Sequence, residues 1–252
     1  NLTIEKNGSL TLSNYTLILN CTANGTYHIV VAEGGTLNLQ SSAIIAYNSS
    51  FRYDFRFMSN SGGTIRDNTI IRDCGYSAGG SMGPMIGSSI AIDNSIFEHN
   101  RHGLLIADSK PTITYTYILD CDEEGILATN SSPIITNSYV NGCGGSGIVL
   151  ENTEIAQIES NTIEMNSQDG LACANSLGLN ILDNAINDNA VCGIRCVNTT
   201  GRMEDSSMSG QMNSGIYLIN SALTLTNNEI RDGGSGITAI GGNITLMNNI
   251  MN

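Results

Sequence analysis

Two short charged segments of this chain carry the residue types that acid–base chemistry or cation binding requires. Arg101 and His102 precede Glu123 and Glu124 by 22 residues, and the full set of candidates is His99, Arg101, His102, Asp120, Asp122, Glu123 and Glu124. Histidine beside carboxylates can supply a general acid and a general base, and clustered carboxylate oxygens can bind a cation such as Ca²⁺. Exposed groups of opposite charge also pair with one another without any function. A catalytic site and a paired surface cluster both fit this pattern.

The spacing of the two segments follows from a repeat that dominates the chain. A glycine returns at intervals of 21 to 23 residues, at Gly103, Gly125, Gly147, Gly170, Gly193, Gly215 and Gly236. Each interval reads as a strand, an Asn turn, a strand, an Asn turn, a strand and a polar loop. Repeats of this length that cannot bury themselves alone stack into solenoids, and short β-branched strands predict one β-coil per repeat. The charged segments should therefore lie on adjacent coils.

The repeat predicts an all-β solenoid of about eleven coils with three short strands in each. Residues 1–102 fit the pattern with longer loops, residues 103–252 fit it regularly, and we treat 1–252 as a single domain. Neither end shows an amphipathic helix or a polar cap, which solenoids use to cover open edges. The chain is therefore expected to be part of a longer protein or an assembly.

Equivalent positions of successive coils predict the core and two polar ladders. The positions expected to face inward are Ile113, Ile135, Ile158, Ile181, Leu225, Ile118, Val140, Ile163, Ile186 and Ile230. Stacked amides can hydrogen-bond from coil to coil and satisfy buried backbone groups. One predicted ladder contains Thr116, Ser138, Asn161, Asn184 and Asn228, and the other contains Asn130, Asn152, Asn175, Asn198 and Asn220.

Three further features have two interpretations each. Cys121 and Cys143 occupy equivalent positions, which allows either a disulfide or a pair of stacked free thiols. Leu105, Leu127 and Val149 should point outward, and such an apolar stripe indicates either an interface or a surface covered by the chain's own loops. The segment FRYDFRF (51–57) alternates aromatic with polar residues, as a core strand or a sugar-binding patch would.

Composition limits the classes of partner. The net charge is −13 with only ten Lys and Arg, which argues against nucleic acid, and no apolar run approaches the ~20 residues of a membrane span, so no direct membrane insertion is expected. Nine Asn-x-Ser/Thr sequons occur, and the predicted glycosylation sites are Asn7, Asn14, Asn20, Asn24, Asn48, Asn198 and Asn243. Together these features favour an extracellular or cell-surface location.

The repeat resembles that of the right-handed parallel β-helix proteins, which share a G-I-x-x-x-N-[ST]-x-x-x-I-x-x-N-x-I-x-x-N pattern. Segments such as GIVLENTEIAQIESNTIEMNSQD (147–169) carry the resemblance over essentially the whole length. The family includes pectate-lyase-like enzymes, alginate epimerases, copper-site maturation proteins of the periplasm and many surface proteins. The resemblance implies a right-handed coil, but it specifies activity poorly. The GGTLNLQSSAI segment (34–44) looks most like the cell-surface members.

The sequence leaves three functional hypotheses. Pectate-lyase-like enzymes use Asp-bound Ca²⁺ and a basic residue, and related polygalacturonases use an Asp cluster with Gly-His-Gly; neither set is found here. The main prediction is therefore a noncatalytic structural or adhesive module that self-associates or contacts neighbouring domains, without a cofactor or a metal. The alternative is a polysaccharide-active lyase, epimerase or glycosidase that acts along the edge near His99–Glu124. A metal-handling protein is the third, since Met203, Met208 and Met212 lie near Cys192 and Cys196, although core packing also explains them.

Overall fold

The computed structural model describes residues 1–76, 82–231 and 233–252. The chain forms a parallel β-helix in which each coil contributes three short strands and equivalent strands of successive coils pair in parallel. Within the described residues, each of the three stacks contains eleven strands, so the predicted fold class and coil number are confirmed. No helix long and apolar enough to cross a membrane occurs in these parts of the chain.

The strands fall into three stacks that follow one another along each coil. The first stack consists of Leu2–Ile4, His28–Val31, Asp54–Phe57, Met85–Ile86, Leu104–Ala107, Ile126–Thr129, Ile148–Glu151, Leu171–Ala174 and Cys192–Val197. The second consists of Ser9–Ser13, Thr36–Gln40, Gly62–Arg66, Ala91–Asp93, Thr112–Thr114, Ile134–Thr136, Gln157–Glu159, Leu179–Leu182 and Thr200–Glu204. Two longer strands, Ser214–Thr226 and Ser235–Met247, run through both of these stacks. The third consists of Thr16–Leu19, Ala43–Ala46, Thr69–Arg72, Ser95–Glu98, Tyr117–Leu119, Tyr139–Asn141, Thr162–Glu164, Ala185–Asn187, Ser207–Ser209, Glu229–Arg231 and Ile250–Met251.

The core runs along the inside of the coils because strand side chains alternate between the two faces. All ten aliphatic positions that the alignment placed inward are at most 2% exposed, which confirms that part of the prediction. In the FRYDFRF segment, Tyr53, Phe55 and Phe57 are fully buried, and the Phe55 and Phe57 rings meet edge to face with centroids 5.6 Å apart. The aromatic side of this segment is therefore core, and its Arg52 and Arg56 lie on the polar side.

The repeated glycine is required by close packing between coils. A Cβ added to Gly125 would lie 2.5 Å from the carbonyl oxygen of Gly147 and 2.5 Å from Cγ1 of Val140. Real side-chain atoms do not approach this closely, so a larger residue would force the coils apart. The glycine period thus marks the start of each first-stack strand.

The corner between the first and second stacks corrects one predicted ladder. Asn130, Asn152, Asn175, Asn198 and Asn220 are exposed and have left-handed backbone angles, with φ between 47° and 52°. Asparagine tolerates this conformation better than most residues, and it turns the chain here. The buried ladder lies one residue later, where the amide of Ser109 donates to Oγ of Ser131 at 3.1 Å. The predicted asparagines lie at the exposed turn, where Nδ2 of Asn198 donates to Oδ1 of Asn175 at 3.1 Å, and the residues that point inward are the ones beside them.

At the corner between the second and third stacks, the polar side chains do lie inside. Asn161, Asn184 and Asn228 are each at most 2% exposed. Both the backbone amide and the side-chain Nδ2 of Asn161 donate to Oδ1 of Asn184, at 3.0 and 3.1 Å, and Nδ2 of Asn184 donates to the carbonyl of Ile158 at 2.8 Å. These bonds satisfy backbone groups that water cannot reach.

Candidate functional site

The charged candidates lie on one edge of the β-helix, which we call the loop edge. It consists of the segments that connect each third-stack strand to the first-stack strand of the next coil, including 47–53, 73–76, 99–103 and 120–125. Loops that a rigid scaffold holds in place are the usual location of binding and catalytic residues. Because adjacent coils pair in register, residues about 22 apart in the sequence meet at this edge.

The structure brings together His102, Glu123 and Glu124, which we call the His102 cluster. Nε2 of His102 lies 2.8 Å from Oε2 of Glu123, and Nδ1 lies 3.0 Å from Oε2 of Glu124. The histidine side chain is 2% exposed, whereas the two glutamates are 39% and 30% exposed. The close contact with His102 is the main cause that holds the pKa of Glu124 below its ordinary value. The contacts are close but bent, since neither ring nitrogen has an aligned hydrogen-bond partner in the described residues.

Two arginines lie beside this cluster. Nη2 of Arg101 contacts Oε1 of Glu123 at 2.8 Å. Arg52 makes two contacts with Asp122, from Nη1 to Oδ2 at 2.5 Å and from Nη2 to Oδ1 at 3.1 Å. The paired-surface interpretation is thus partly right for Arg101 and Asp122, but it does not account for the buried imidazole.

The other two candidates lie apart from the cluster. Asp120 and His99 each have a left-handed backbone conformation, with φ of 49° and 52°, and both are exposed. Neither residue belongs to the group of close ligand atoms that His102, Glu123 and Glu124 form within the described residues. His99 instead borders a second group of polar residues.

That group forms an open basic depression of about 550 Å³, lined by Ala46, Tyr47, Ser49, Arg52, Arg72, Asp73 and His99. Arg72 contacts Glu98 at 3.3 Å and Asp73 at 3.5 Å. Asp73 is 5% exposed, and burial raises its pKa above the ordinary value, against the lowering effect of Arg72, Arg52 and His99. A buried carboxyl group with a raised pKa beside an imidazole and two guanidinium groups is a typical arrangement for proton transfer.

Two smaller depressions continue from the basic one along the loop edge. The junction depression, of about 300 Å³, shares Arg52 with the basic depression and also contains Asn24, Tyr76, Arg101, Asp122 and Glu123. The acidic depression, of about 410 Å³, shares Asp122 and Glu123 with the junction and extends to Glu124, Val149, Asp169 and Arg195. The three form a connected row of polar surface.

A separate depression of about 730 Å³ lies on the face of the third stack, and the sequence analysis missed it. It is lined by Tyr115, Tyr117 and Tyr139 together with neutral Asn, Ser and Thr side chains. The Tyr117 and Tyr139 rings meet edge to face at 5.9 Å. A hydrogen bond from the Tyr139 hydroxyl to Glu164 raises the pKa of Tyr139 to about 12. The 22-residue spacing of Tyr117 and Tyr139 was the signal that could have identified this tyrosine depression.

The remaining candidates are placed as follows. Cys121 and Cys143 are buried free thiols in contact with each other, so the disulfide alternative is not formed in this structure. Leu105, Leu127 and Val149 stack on one another and are half-buried, and an interface there stays a prediction. The predicted glycosylation sites Asn7, Asn14, Asn20, Asn24, Asn48, Asn198 and Asn243 are all exposed.

The structure does not support a thioether site for the metal-handling hypothesis. Met203 and Met208 are 1% exposed within the core, whereas Met212 is 80% exposed. Cys192 and Cys196 are buried as well. The three thioethers therefore do not converge, and core packing accounts for the two that point inward.

Comparison with known proteins identifies the fold and a group of similar structures. A family model described as the right handed beta helix region matches residues 4–132 and, in an overlapping match, 57–207. No curated protein sequence matches this chain significantly. The crystal structure of the periplasmic alginate epimerase AlgG is similar, with a TM-score of 0.78 and 17% identity over 99% of this chain and 76% of that one. The A-module of the mannuronan C-5 epimerase AlgE4 of Azotobacter vinelandii is also similar, with a TM-score of 0.57 and 16% identity over 95% of this chain and 91% of that one.

These similar structures correct the main functional prediction. At such identities the likeness shows the fold alone, yet the two similar β-helices named above, which match nearly the whole chain, are described as alginate and mannuronan epimerases and not as structural or adhesive modules. The prediction of a noncatalytic structural or adhesive module is therefore wrong as the main hypothesis. The absence of the pectate-lyase and polygalacturonase residue sets does not indicate a noncatalytic protein, because one β-helix fold supports many different sites.

Proposed function

Because this chain belongs to the right-handed β-helix family, we propose that it is a polysaccharide-active protein that binds its substrate chain along the loop edge. The connected row of basic, junction and acidic depressions is the observation that carries this proposal. An extended polymer needs an extended surface, and the row crosses several coils. The match to solved structures of alginate and mannuronan epimerases supports the same class of substrate.

The charges of the basic depression favour an acidic polysaccharide. Arg52 and Arg72 line this depression in a chain whose net charge is −13. Arginine binds carboxylates through paired N–H donors, and such charge-assisted hydrogen bonds are stronger than neutral ones. A local concentration of guanidinium groups on an acidic protein therefore selects for carboxylates at this position. The substrate class we propose is a polyuronate, a polysaccharide whose sugar units each carry a carboxylate.

Asp73 and His99 are the proton-transfer groups of the proposal. Both line the basic depression with the two arginines. Guanidinium groups that neutralise a bound uronate carboxylate make the adjacent C–H bond more acidic, since they stabilise the negative charge that develops when the proton leaves. An exposed imidazole can accept this proton, and a carboxyl group with a raised pKa can donate one. Epimerisation and elimination both begin with this proton removal.

The proposed location is outside the cytoplasm. One similar solved structure is described as periplasmic. The exposed sequons of this chain, which suit a secreted protein, support the same location. A polysaccharide substrate is also most accessible there.

The proposal is tested with polyuronates of defined composition and with neutral glucans as controls. Binding is measured by calorimetry, and the reaction by ¹H NMR of the polymer, which separates an epimerised product from an unsaturated cleavage product. We expect binding of polyuronate, but not of glucan, and its loss in Arg72→Gln. The same variant should keep the fold of the parent protein in circular dichroism.

A matched variant on another face makes this test specific. Tyr117→Ser alters the tyrosine depression, which shares no residue with the loop edge. Loop-edge binding predicts unchanged polyuronate affinity in this variant. Equal losses in Tyr117→Ser and Arg72→Gln, or no polyuronate binding by the parent protein, would contradict the proposal.

A further inference from the structure

The His102 imidazole is in an environment that a neutral ring does not satisfy. Its side chain is 2% exposed, and each of its two nitrogens lies within 3.0 Å of an oxygen from a different glutamate. A neutral imidazole has one N–H and one lone pair. If the ring is neutral, one carboxylate oxygen faces the lone pair, where two electron-rich atoms repel each other, and either a second proton or a bound cation at that nitrogen removes the repulsion. Neither nitrogen has an aligned hydrogen-bond partner among the described residues.

The surrounding backbone fixes the ring in this position. The His102 amide donates to the carbonyl of Met82 at 2.9 Å, and the Gly103 amide donates to the carbonyl of Glu124 at 3.1 Å. The Glu123 amide donates to the carbonyl of Arg101 at 2.8 Å. These inter-coil bonds hold the three residues of the cluster next to one another, and the ring nitrogens lie 2.8 and 3.0 Å from the carboxylate oxygens.

The carboxylates of Glu123 and Glu124 differ in their other contacts. Oε1 of Glu123 is neutralised by Arg101, and its Oε2 remains directed at the ring. Among the described side chains, the one that contacts the Glu124 carboxylate closely is His102, at 3.0 Å. One oxygen of each glutamate and a ring nitrogen lie within 4.8 Å of one another. A cation placed among them would replace the repulsion with three attractive contacts.

We propose that His102, Glu123 and Glu124 bind one divalent transition-metal cation of the Zn²⁺ type. The ligands are one imidazole nitrogen and one carboxylate oxygen from each glutamate. Imidazole together with carboxylates suits Zn²⁺ and related ions, whereas Ca²⁺ prefers ligand sets made only of oxygen. Glu123 and Glu124 are partly exposed and line the acidic depression, so the ion can enter from that side.

The test uses the full chain treated with a chelator and then titrated with Zn²⁺ or Co²⁺ in the absence of any polysaccharide. Calorimetry should show one Zn²⁺ per chain, and Zn²⁺ should raise the melting temperature. Cobalt gives a second readout, because a thiolate ligand adds an intense charge-transfer band that nitrogen and oxygen ligands do not. We expect the Co²⁺ complex to lack this band.

Three variants locate the ion. Glu124→Gln and His102→Asn should each lower the affinity at least about tenfold, as loss of a ligand does. If His102→Asn does not fold, Glu123→Gln, at a partly exposed position, provides the second ligand variant. The matched control is His28→Asn, because His28 also contacts a carboxylate, with Nδ1 3.1 Å from Asp54, but lies outside the cluster.

Several results would overturn the inference. These are the absence of stoichiometric binding, equal loss of affinity in His28→Asn, a thiolate band in the Co²⁺ spectrum, or a preference for Ca²⁺ over Zn²⁺. None of these measurements uses a polysaccharide. Failure of the metal site and failure of the proposed function are therefore distinguishable.

Discussion

Arg52 and Asp122 form a two-contact ion pair across the loop edge, although 70 residues separate them in the sequence. Arg52 lies in the loop that precedes the third coil, and its side chain reaches Asp122 in a loop three coils further along the β-helix. Arg52 lines both the basic and the junction depressions, so its ion pair with Asp122 lies where these two depressions meet. A substrate carboxylate that binds Arg52 must therefore compete with Asp122.

This competition predicts opposite effects for the two partners. Arg52→Gln should lower polyuronate affinity by about tenfold or more, since a hydrogen bond to a charged group contributes about 1.5–3 kcal/mol. Asp122→Asn should raise the affinity, because it frees the guanidinium and removes a repelling charge. Calorimetry with a polyuronate oligomer measures both.

Stability provides the control for this pair. Asp122 is 56% exposed, and ion pairs with solvent-exposed partners contribute only about 0.2–1 kcal/mol. Asp122→Asn should therefore unfold at nearly the urea concentration of the parent protein. The Arg52 side chain is only 16% exposed, so Arg52→Gln also loses packing and should unfold at a lower urea concentration than Asp122→Asn. If both variants lose affinity, Arg52 acts through its pairing with Asp122 and not through the substrate.

Replacing Asp73 should lower activity without lowering the stability of the folded protein. Burial raises its pKa, so the folded state favours the protonated carboxyl group. The stability that this proton contributes is complete below the unfolded pKa of about 3.9 and is lost as the pH rises through the folded pKa. Asp73→Asn removes the charged form, and it should abolish turnover while making the protein at least as stable as the parent at pH 7.

Urea unfolding at several pH values tests this prediction. The advantage of Asp73→Asn over the parent should be largest near neutral pH and should vanish in acid. The charged groups that act on Asp73 are Arg72, Arg52, His99 and Glu98, and all of them are retained in the variant. A variant that is less stable at pH 7 and fully active would show that Asp73 has only a structural role.

The sequence predicted contacts between adjacent coils better than contacts within loops. The 22-residue period correctly placed His102 against Glu124 and Arg101 against Glu123, because parallel pairing keeps adjacent coils in register. The same period carries no information about Arg52 and Asp122, whose loops differ in length and span three coils. The geometry of long loops depends on their own packing, and no periodic pattern records it.

Local backbone conformation limited the prediction in a second way. The alignment placed Asn130 in a stacked amide ladder, whereas in the structure Asn130 is exposed with a left-handed conformation and Ser131 occupies the buried position. Asp120 was included in the charged site because of its position in the repeat, whereas in the structure it is exposed with a left-handed φ of 49° and lies outside the group formed by His102, Glu123 and Glu124. A one-residue turn reverses the face of each following side chain, and the residue type alone does not reveal where it occurs.

The thiols of the core should be unreactive in the native protein. All seven cysteines are buried and free. The contact with Cys143 and then burial raise the pKa of Cys121, and burial raises the pKa of Cys74. The contact with Cys121 lowers the pKa of Cys143, but that thiol is fully buried, so a reagent does not reach it in the folded protein. A thiol that stays protonated is a poor nucleophile. Iodoacetamide should therefore react slowly with the folded protein.

Mass spectrometry distinguishes the two interpretations of Cys121 and Cys143. After denaturation without a reductant, all seven thiols should be alkylated. Two fewer labels, together with a linked peptide that contains both residues, would show that the disulfide forms in the native protein.

The buried amide ladder should contribute more to stability than the exposed asparagines at the corners. Asn184→Ala removes the acceptor of the Asn161 amide and the donor to the Ile158 carbonyl, both in the interior. Each buried group left without a partner costs about 1–3 kcal/mol, so the free energy of unfolding should fall by at least that amount. The matched control is Asn152→Gly, since Asn152 is exposed with φ of 52° and glycine adopts this conformation without strain. Urea denaturation should show a large loss for Asn184→Ala and almost none for Asn152→Gly. Equal losses would mean that the turns, and not the buried amides, stabilise the coils.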